Sequence, residues 1–166
     1  YCWPRRHSPT AFALMLLGIA MTAWSVGYAL EIAGTNLETK LFWGKMQYLA
    51  IPLVPVIWLV LGLSYANLTQ WLARRSIPLL LFLPLLTIAL ALTNDSHNLI
   101  WTKTFFSQTG SFSSLGVEYG IWFWIHSAFS YVLLLTGTVI LVRSIARIKL
   151  PYKRQVLALL IGVLVP

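Results

Sequence analysis

Acidic residues are almost missing from this chain. Its 166 residues include four Asp and Glu, and charged residues of both signs make up 10%, against about 25% in a soluble domain. That shortage leaves too few ions to coat a water-facing surface, which excludes a soluble globular domain. Cysteine occurs once, at Cys2, ruling out an internal disulfide framework and a cysteine-built metal site. No HExxH, no GxSxG elbow and no carboxylate pair inside an apolar run is present. The parts of a zinc protease, a serine hydrolase or a carboxylate-dyad enzyme are therefore lacking. No short leader ending in Ala-x-Ala opens the chain, and YCWPRRHSP does not resemble a start of translation. The sequence reads as a fragment.

What the chain has in excess is apolar length. Hydrophobic residues make up 58%, mean hydropathy is +0.77, and there are eight Trp and seven Tyr. Rings with a polar edge gather where helices meet lipid headgroups. A bilayer core takes about 20 helical residues, and four runs meet or approach that length: Ala11 to Ile32, Leu41 to Ala66, Ile77 to Thr93 and Gly120 to Val142. A fifth run, from Val156 to Pro166, is too short to cross at about 1.5 Å per residue. The expected fold is an all-α polytopic membrane helix bundle with five helices represented, the last of them incomplete. The one long connection, 94–119, has a Gly/Ser-rich centre, SQTGSFSSLG, and is expected to be a mobile loop. Pro52 and Pro55 predict a bend midway along the second helix and Pro84 another in the third, with tolerated packing kinks as the plainer reading.

The basic residues sort by end. Arg5 and Arg6 precede the first run, Arg74 and Arg75 follow the second, and Arg143, Arg147, Lys149, Lys153 and Arg154 follow the fourth. Alternating crossings bring all of these to one face, which the positive-inside rule makes cytoplasmic. Lys40, Lys45 and Lys103 fall on the opposite face with every acid: Glu31, Glu38, Asp95 and Glu118. The net charge of +8 is thus a set of membrane flanks. It implies the lipid bilayer as partner and excludes nucleic acid. The first run enters from the cytoplasm, so an odd number of crossings is expected ahead of it.

Polar and aromatic residues concentrate at the outer level. Trp24, Tyr28 and Glu31 are spaced by four and three and share a helix face. Gln47 and Tyr48 follow Lys45 in the second run. The strip TNDSHNLIW at 93–101 brings Asn94, His97 and Trp101 to the end of the third. In the fourth, Trp122 and Phe123, His126 and Ser127, then Ser130 and Tyr131 recur in steps of four. Polar side chains at membrane depth face the bundle interior or a cavity. The candidate ligand-binding set is Trp24, Tyr28, Glu31, Gln47, Tyr48, Asn94, His97, Trp101, Trp122, His126 and Tyr131. Within the strip, Asn94 and Asp95 are expected to satisfy the last helical carbonyls and begin the turn. His97 is expected to face the bundle mouth and Trp101 to rest at the interface.

Plainer readings stand beside these. Trp43, Trp101 and Trp122 fit interface-belt aromatics, Glu31 and Lys45 a surface ion pair, and Ser127 and Ser130 helix packing. His126 fits a buried, hydrogen-bonded histidine. His97 and His126 lie at different depths, which does not suit a bis-histidine haem, and no metal or other cofactor is expected. The residues alone leave three classes open: a sensor, a transporter or channel subunit, and a structural membrane anchor. The two histidines also permit a pH-sensing version of the first, since histidine titrates near neutral pH.

Trp24 with Glu31, FWGKMQYLAIPLVP at 42–55, TNDSHNLIW at 93–101, GIWFWIHSAFSY at 120–131 and YKRQVLALLIGVLVP at 152–166 occur in that order. The series resembles the N-terminal seven-transmembrane region of bacterial histidine kinases and related signalling proteins, and it covers essentially the whole chain. The resemblance implies the second helix through the start of the sixth, with a seventh leading to a cytoplasmic output domain. That output would be a histidine kinase or diguanylate cyclase, through which a homodimer is expected. It implies a sensory input module, itself non-catalytic, that perceives a small or membrane-dissolved ligand in the outer half of the bundle.

Overall fold

A computed structural model describes residues 9–72, 76–109 and 112–146. Among the described residues four helical stretches cross or nearly cross the bundle, the second of them broken into two helices. Helix α1 spans Pro9–Ala33, α2 Leu37–Gln47, α3 Val54–Tyr65, α4 Ser76–Leu92 and α5 Ile121–Ala146. Three helical stretches are long and apolar enough to span a membrane: Pro9–Ala33, Leu37–Tyr65 and Ile121–Ser144; the apolar α4 is shorter. Only 22% of the apolar window of the first, and of the third, is buried. Phe12, Ile19, Leu79, Phe82 and Leu135 all point outward. Lipid is the solvent that makes such a surface stable. The expected fifth run, 156–166, and the basic clusters apart from Arg143 lie outside the described residues.

The second run differs from the single bent helix that the sequence predicts. It starts earlier, because Asn36 caps α2: its side-chain oxygen accepts from the Thr39 amide at 2.8 Å. It is then broken. Helix α2 ends at Gln47, a turn of 3-10 geometry occupies Ile51–Leu53, and α3 begins at Val54. Pro52 and Pro55, three residues apart, each remove a helical donor. At Pro55 the loss costs little, since it stands in the first turn of α3, where N–H groups have no helical partner anyway. Helix α3 closes with both bonds of a Schellman turn: Leu68 N to Leu63 O at 2.8 Å and Asn67 N to Ser64 O at 3.2 Å. Asn67 takes the positive φ of 57° that this turn requires, and Leu68 packs in the same cluster as Leu63.

The principal helix seam is α3 against α5. Gly62 faces Gly137 across it, so that a Cβ added to Gly62 would lie 2.9 Å from the Gly137 carbonyl oxygen. Small residues at a crossing let two backbones approach. Trp58 fills the space alongside, 1% exposed, and donates its indole N–H to Thr138 at 3.1 Å. Ala13, Leu17, Trp58, Leu61 and Leu141 form a core joining α1, α3 and α5. Val56, Leu59, Leu63 and Leu133 form another, against which Leu80 and Leu81 of α4 pack.

The connection expected as a loop folds as an antiparallel hairpin, β1 at Trp101–Thr109 and β2 at Phe112–Tyr119. Its register runs from Trp101 opposite Tyr119 to Thr109 opposite Phe112, with an irregularity between Trp101 and Lys103. Two residues, Gly110 and Ser111, separate the strands, a spacing that itself signals a hairpin. The hairpin lies at the same end of the bundle as the α1–α2 turn, and β2 packs on both α1 and α2.

Candidate functional site

The strip 93–101 shows how this end is built. Asn94 is buried, 3% exposed. Its side-chain oxygen accepts from the amides of Ile100 at 2.9 Å and Trp101 at 3.1 Å, and its Nδ2 donates to the Trp101 carbonyl at 2.9 Å. One side chain therefore completes three backbone groups where helix gives way to strand. Its backbone carbonyl accepts from His97 N and Asn98 N. Asn98 adopts a φ of 54°, which turns Leu99 toward the start of α5. There the Leu99 carbonyl receives the Trp122 amide at 3.0 Å, and Ile100 O receives Gly120 N at 2.8 Å. A Cβ on Gly120 would come within 2.3 Å of the Leu99 carbonyl oxygen, so only glycine fits.

Several strip residues sit elsewhere than the sequence led one to expect. His97 is turned into its own loop: Leu99 N donates to Nδ1 at 3.1 Å, and Thr93 Oγ1 lies 3.1 Å from Nε2. Thr93 already gives its proton to Ala89 O at 2.8 Å, so Nε2 carries the hydrogen. Both ring nitrogens are thus occupied. Asp95 reaches Lys45 at 2.6 Å; Lys45 accordingly pairs with Asp95 and not with Glu31. Trp101 is 5% exposed, packed in a cluster with Tyr48, Ala91 and Ile100 instead of resting in an interface belt. Its ring meets Tyr48 edge-on, centroids 5.5 Å apart.

Between α1, α2, the hairpin and the start of α5 lies a cleft of about 550 Å³. Six rings line it: Trp24 and Tyr28 from α1, Tyr48 just past α2, Trp101 and Tyr119 from the hairpin, and Phe123 from α5. Tyr119 and Phe123 are stacked at 3.7 Å. Glu31, 7% exposed, contributes a carboxylate, which accepts from Gln47 Nε2 at 2.6 Å. Gln47 reaches α1 because Gly27 leaves room: a Cβ there would lie 2.8 Å from Gln47 Cγ. Beside it Lys40, fully buried, donates its ammonium to the carbonyls of Glu31 at 2.9 Å and Ile32 at 3.2 Å. A cation on the last carbonyls of a helix satisfies groups that have no helical partner.

Of the eleven residues expected to form a site, the cleft gathers Trp24, Tyr28, Glu31, Gln47, Tyr48 and Trp101. Asn94 stands behind Trp101 as its support. Trp122 and His126 belong to a separate buried chain between α4 and α5. Trp122 Nε1 donates to Thr87 Oγ1 at 3.0 Å, and His126 Nδ1 lies 3.3 Å from the same oxygen. His126 Nε2 lies 3.2 Å from Ser130 Oγ. Thr87 gives its own proton to Leu83 O at 2.8 Å. His126 Nδ1 is therefore the donor and Nε2 the acceptor from Ser130. Tyr131 is 67% exposed on the outer side of α5, away from the cleft.

The cleft also uses residues absent from that set: Met21, Ser25, Gly44, Ile51, Leu115, Val117, Tyr119 and Phe123. Met21 and Ser25 extend the Trp24–Tyr28 face by the same helical spacing. Leu115, Val117 and Tyr119 alternate along β2 and would have emerged had the hairpin been recognised. Among the described residues no group of three His, Cys, Asp or Glu is placed to hold a metal ion.

A buried polar cluster, rings at one depth and lipid-facing helices together define an integral membrane region with a cleft at one end. The chain belongs to the family described as the N-terminal 7TM region of histidine kinase, whose model matches residues 1–166. It is thus a membrane-embedded signalling input region of the histidine-kinase type. No curated protein and no solved structure matches the chain.

Proposed function

We propose that this region perceives a small molecule, free or dissolved in the membrane, in the cleft between α1, α2, α5 and the hairpin. The carrying observation is that six rings and one buried carboxylate surround a single space of about 550 Å³. Sites for small ligands have volumes of roughly 300–1,000 Å³, with apolar walls and a few polar groups that set orientation. The charge partition supports an external position for the cleft and the hairpin, since the Arg/Lys-rich segments flank the other ends of the helices.

The route of the signal follows from the break in the second run. Gln47 and Tyr48 line the cleft and immediately precede the 48–53 break; α3 follows and packs on α5 through Gly62 and Gly137. A ligand that draws α2 toward α1 changes the angle between α2 and α3, and α5 receives the change across the glycine seam. Only differential affinity for the two arrangements moves the equilibrium. The output is a histidine kinase or a diguanylate cyclase, dimeric through that output domain.

The test is thermal melting of the intact protein in nanodiscs across a metabolite panel, comparing wild type with Glu31→Ala and Trp24→Ala. The expected result is a compound that raises Tm in wild type and loses the effect in both variants. Stabilisation by no compound, or equal stabilisation of all three proteins, overturns the proposal. Sidedness is read separately, from Thr102→Cys in a Cys2→Ser background with an impermeant thiol reagent. Labelling of intact cells supports the external face; labelling after lysis alone refutes it.

A further inference from the structure

Building on that reading of the cleft, we infer that its ligand is an organic cation, a quaternary ammonium or protonated amine head, held on ring faces and countered by Glu31. Among the described residues that line the cleft, Glu31 alone carries a formal charge, and none is Lys, Arg or His. Lys45 pairs with Asp95 at 2.6 Å and Lys103 with Glu118 at 3.2 Å, while the Lys40 ammonium stands behind Glu31 on the carbonyls of Glu31 and Ile32, outside the lining of the cleft. An anionic ligand would meet a buried carboxylate with no lining cation to answer it. A neutral apolar ligand would bury that carboxylate further with nothing gained.

A cation gains from both parts of the wall. Gln47 supplies a single hydrogen bond to Glu31 Oε2, whereas a carboxylate has about four lone-pair sites. The carboxylate therefore retains unused acceptor capacity inside the cleft. The rings are mostly of the kinds that bind cations best, Trp and Tyr, whose negative faces attract ammonium heads when these are withdrawn from water. The volume leaves room for an apolar appendage beside the head.

The test uses choline and its uncharged carbon isostere 3,3-dimethylbutan-1-ol, with binding to the intact protein in phosphatidylglycerol nanodiscs measured by equilibrium dialysis. Choline is expected to bind about tenfold or more tighter than the alcohol, since one charge-dependent contact of 1.4 kcal/mol is worth that factor. Glu31→Gln should bring choline down to the level of the alcohol. Trp24→Leu, at a position 37% exposed, should weaken choline about tenfold and the alcohol by a smaller factor, narrowing the ratio between them. Repeating the choline titration in phosphatidylcholine nanodiscs separates the sources. Weaker apparent binding there points to a lipid headgroup as the native cation, and equal binding points to a free one. Equal affinity for choline and alcohol, or an unchanged Glu31→Gln, overturns the cation while leaving the cleft a sensing site. Failure of choline to bind wild type also overturns it, and the metabolite panel then decides the sensing role independently.

Discussion

Asn94→Ala is the substitution that most directly tests how the hairpin end is held. The side chain satisfies the amides of Ile100 and Trp101 and the carbonyl of Trp101, at residues 0% and 5% exposed. Alanine leaves all three groups in place and removes their partners. Each buried group left unpaired costs about 1–3 kcal/mol. Relaxation and water entry at the end of the bundle recover part of this, so the expected loss is about 3–4 kcal/mol. On a scale of about 2–4 °C per kcal/mol for a chain of this size, Tm falls by roughly 6–16 °C. The neighbouring Asp95→Asn is the internal control. It breaks a bond of 2.6 Å to Lys45, but Asp95 is 81% exposed and such pairs contribute about 0–1 kcal/mol. Melting followed by tryptophan fluorescence and by circular dichroism in nanodiscs compares the two. Similar Tm values for Asn94→Ala and Asp95→Asn, or a fall below about 1 kcal/mol for the former, would refute the account of Asn94 as the pin of this turn.

Thr87→Val keeps the shape but removes the oxygen shared by Trp122 and His126; a loss of about 2–4 kcal/mol in denaturant unfolding is expected for two orphaned donors, and a change within 0.5 kcal/mol would contradict the network. Gly137→Leu forces α3 and α5 apart, since even a Cβ there would lie 2.9 Å from Trp58. It should cost about 1–3 kcal/mol or more, and a disulfide placed across the seam should form more slowly than in the parent. Tyr131→Ala, at a side chain 67% exposed toward lipid, should leave both stability and any cleft ligand's affinity within about 0.5 kcal/mol, measured by melting with and without ligand.

How much of this was legible beforehand depends on which physical rule governed each part. Lipid-facing helices follow from length and composition, so the apolar runs carried α1, α4 and α5 with boundaries near those observed. The Trp24–Tyr28–Glu31 face followed from helical spacing alone. Three features lay beyond such rules. The second run reads as continuous because two prolines in an apolar stretch predict a bend, and only the tertiary contacts of the 51–53 turn, which packs on α4, decide between a bend and a break. His126 and Trp122 fall on the expected inward stripe, but the stripe says only that they face protein. Thr87, fully buried on α4, is what claims them for the α4–α5 interface. The hairpin was obscured by composition: Ser, Thr and Gly between 102 and 116 suggest a loop, and the alternation of Leu115, Val117 and Tyr119 is too short to announce a strand unaided.

The placement of the two polar systems carries a consequence for transmission. Among the described residues, the α4–α5 chain of Trp122, Thr87, His126 and Ser130 is saturated, with no buried side-chain polar atom left without a partner. Such a network resists rearrangement, because moving one member orphans another. It ties the outer part of α5 to α4. The α1–α2 contact joins Lys40 to the last carbonyls of α1 and Gln47 to Glu31 beside an open cleft, and α2 is joined to α3 through a turn that is not α-helical. The break at 48–53 is thus where this end can bend, and there Tyr48 meets Trp101 of the hairpin edge-on. On the proposed reading, a ligand bound among Trp24, Tyr28 and Glu31 acts on the α1–α2 unit, and the break carries its effect to α3 and, across the Gly62–Gly137 seam, to α5.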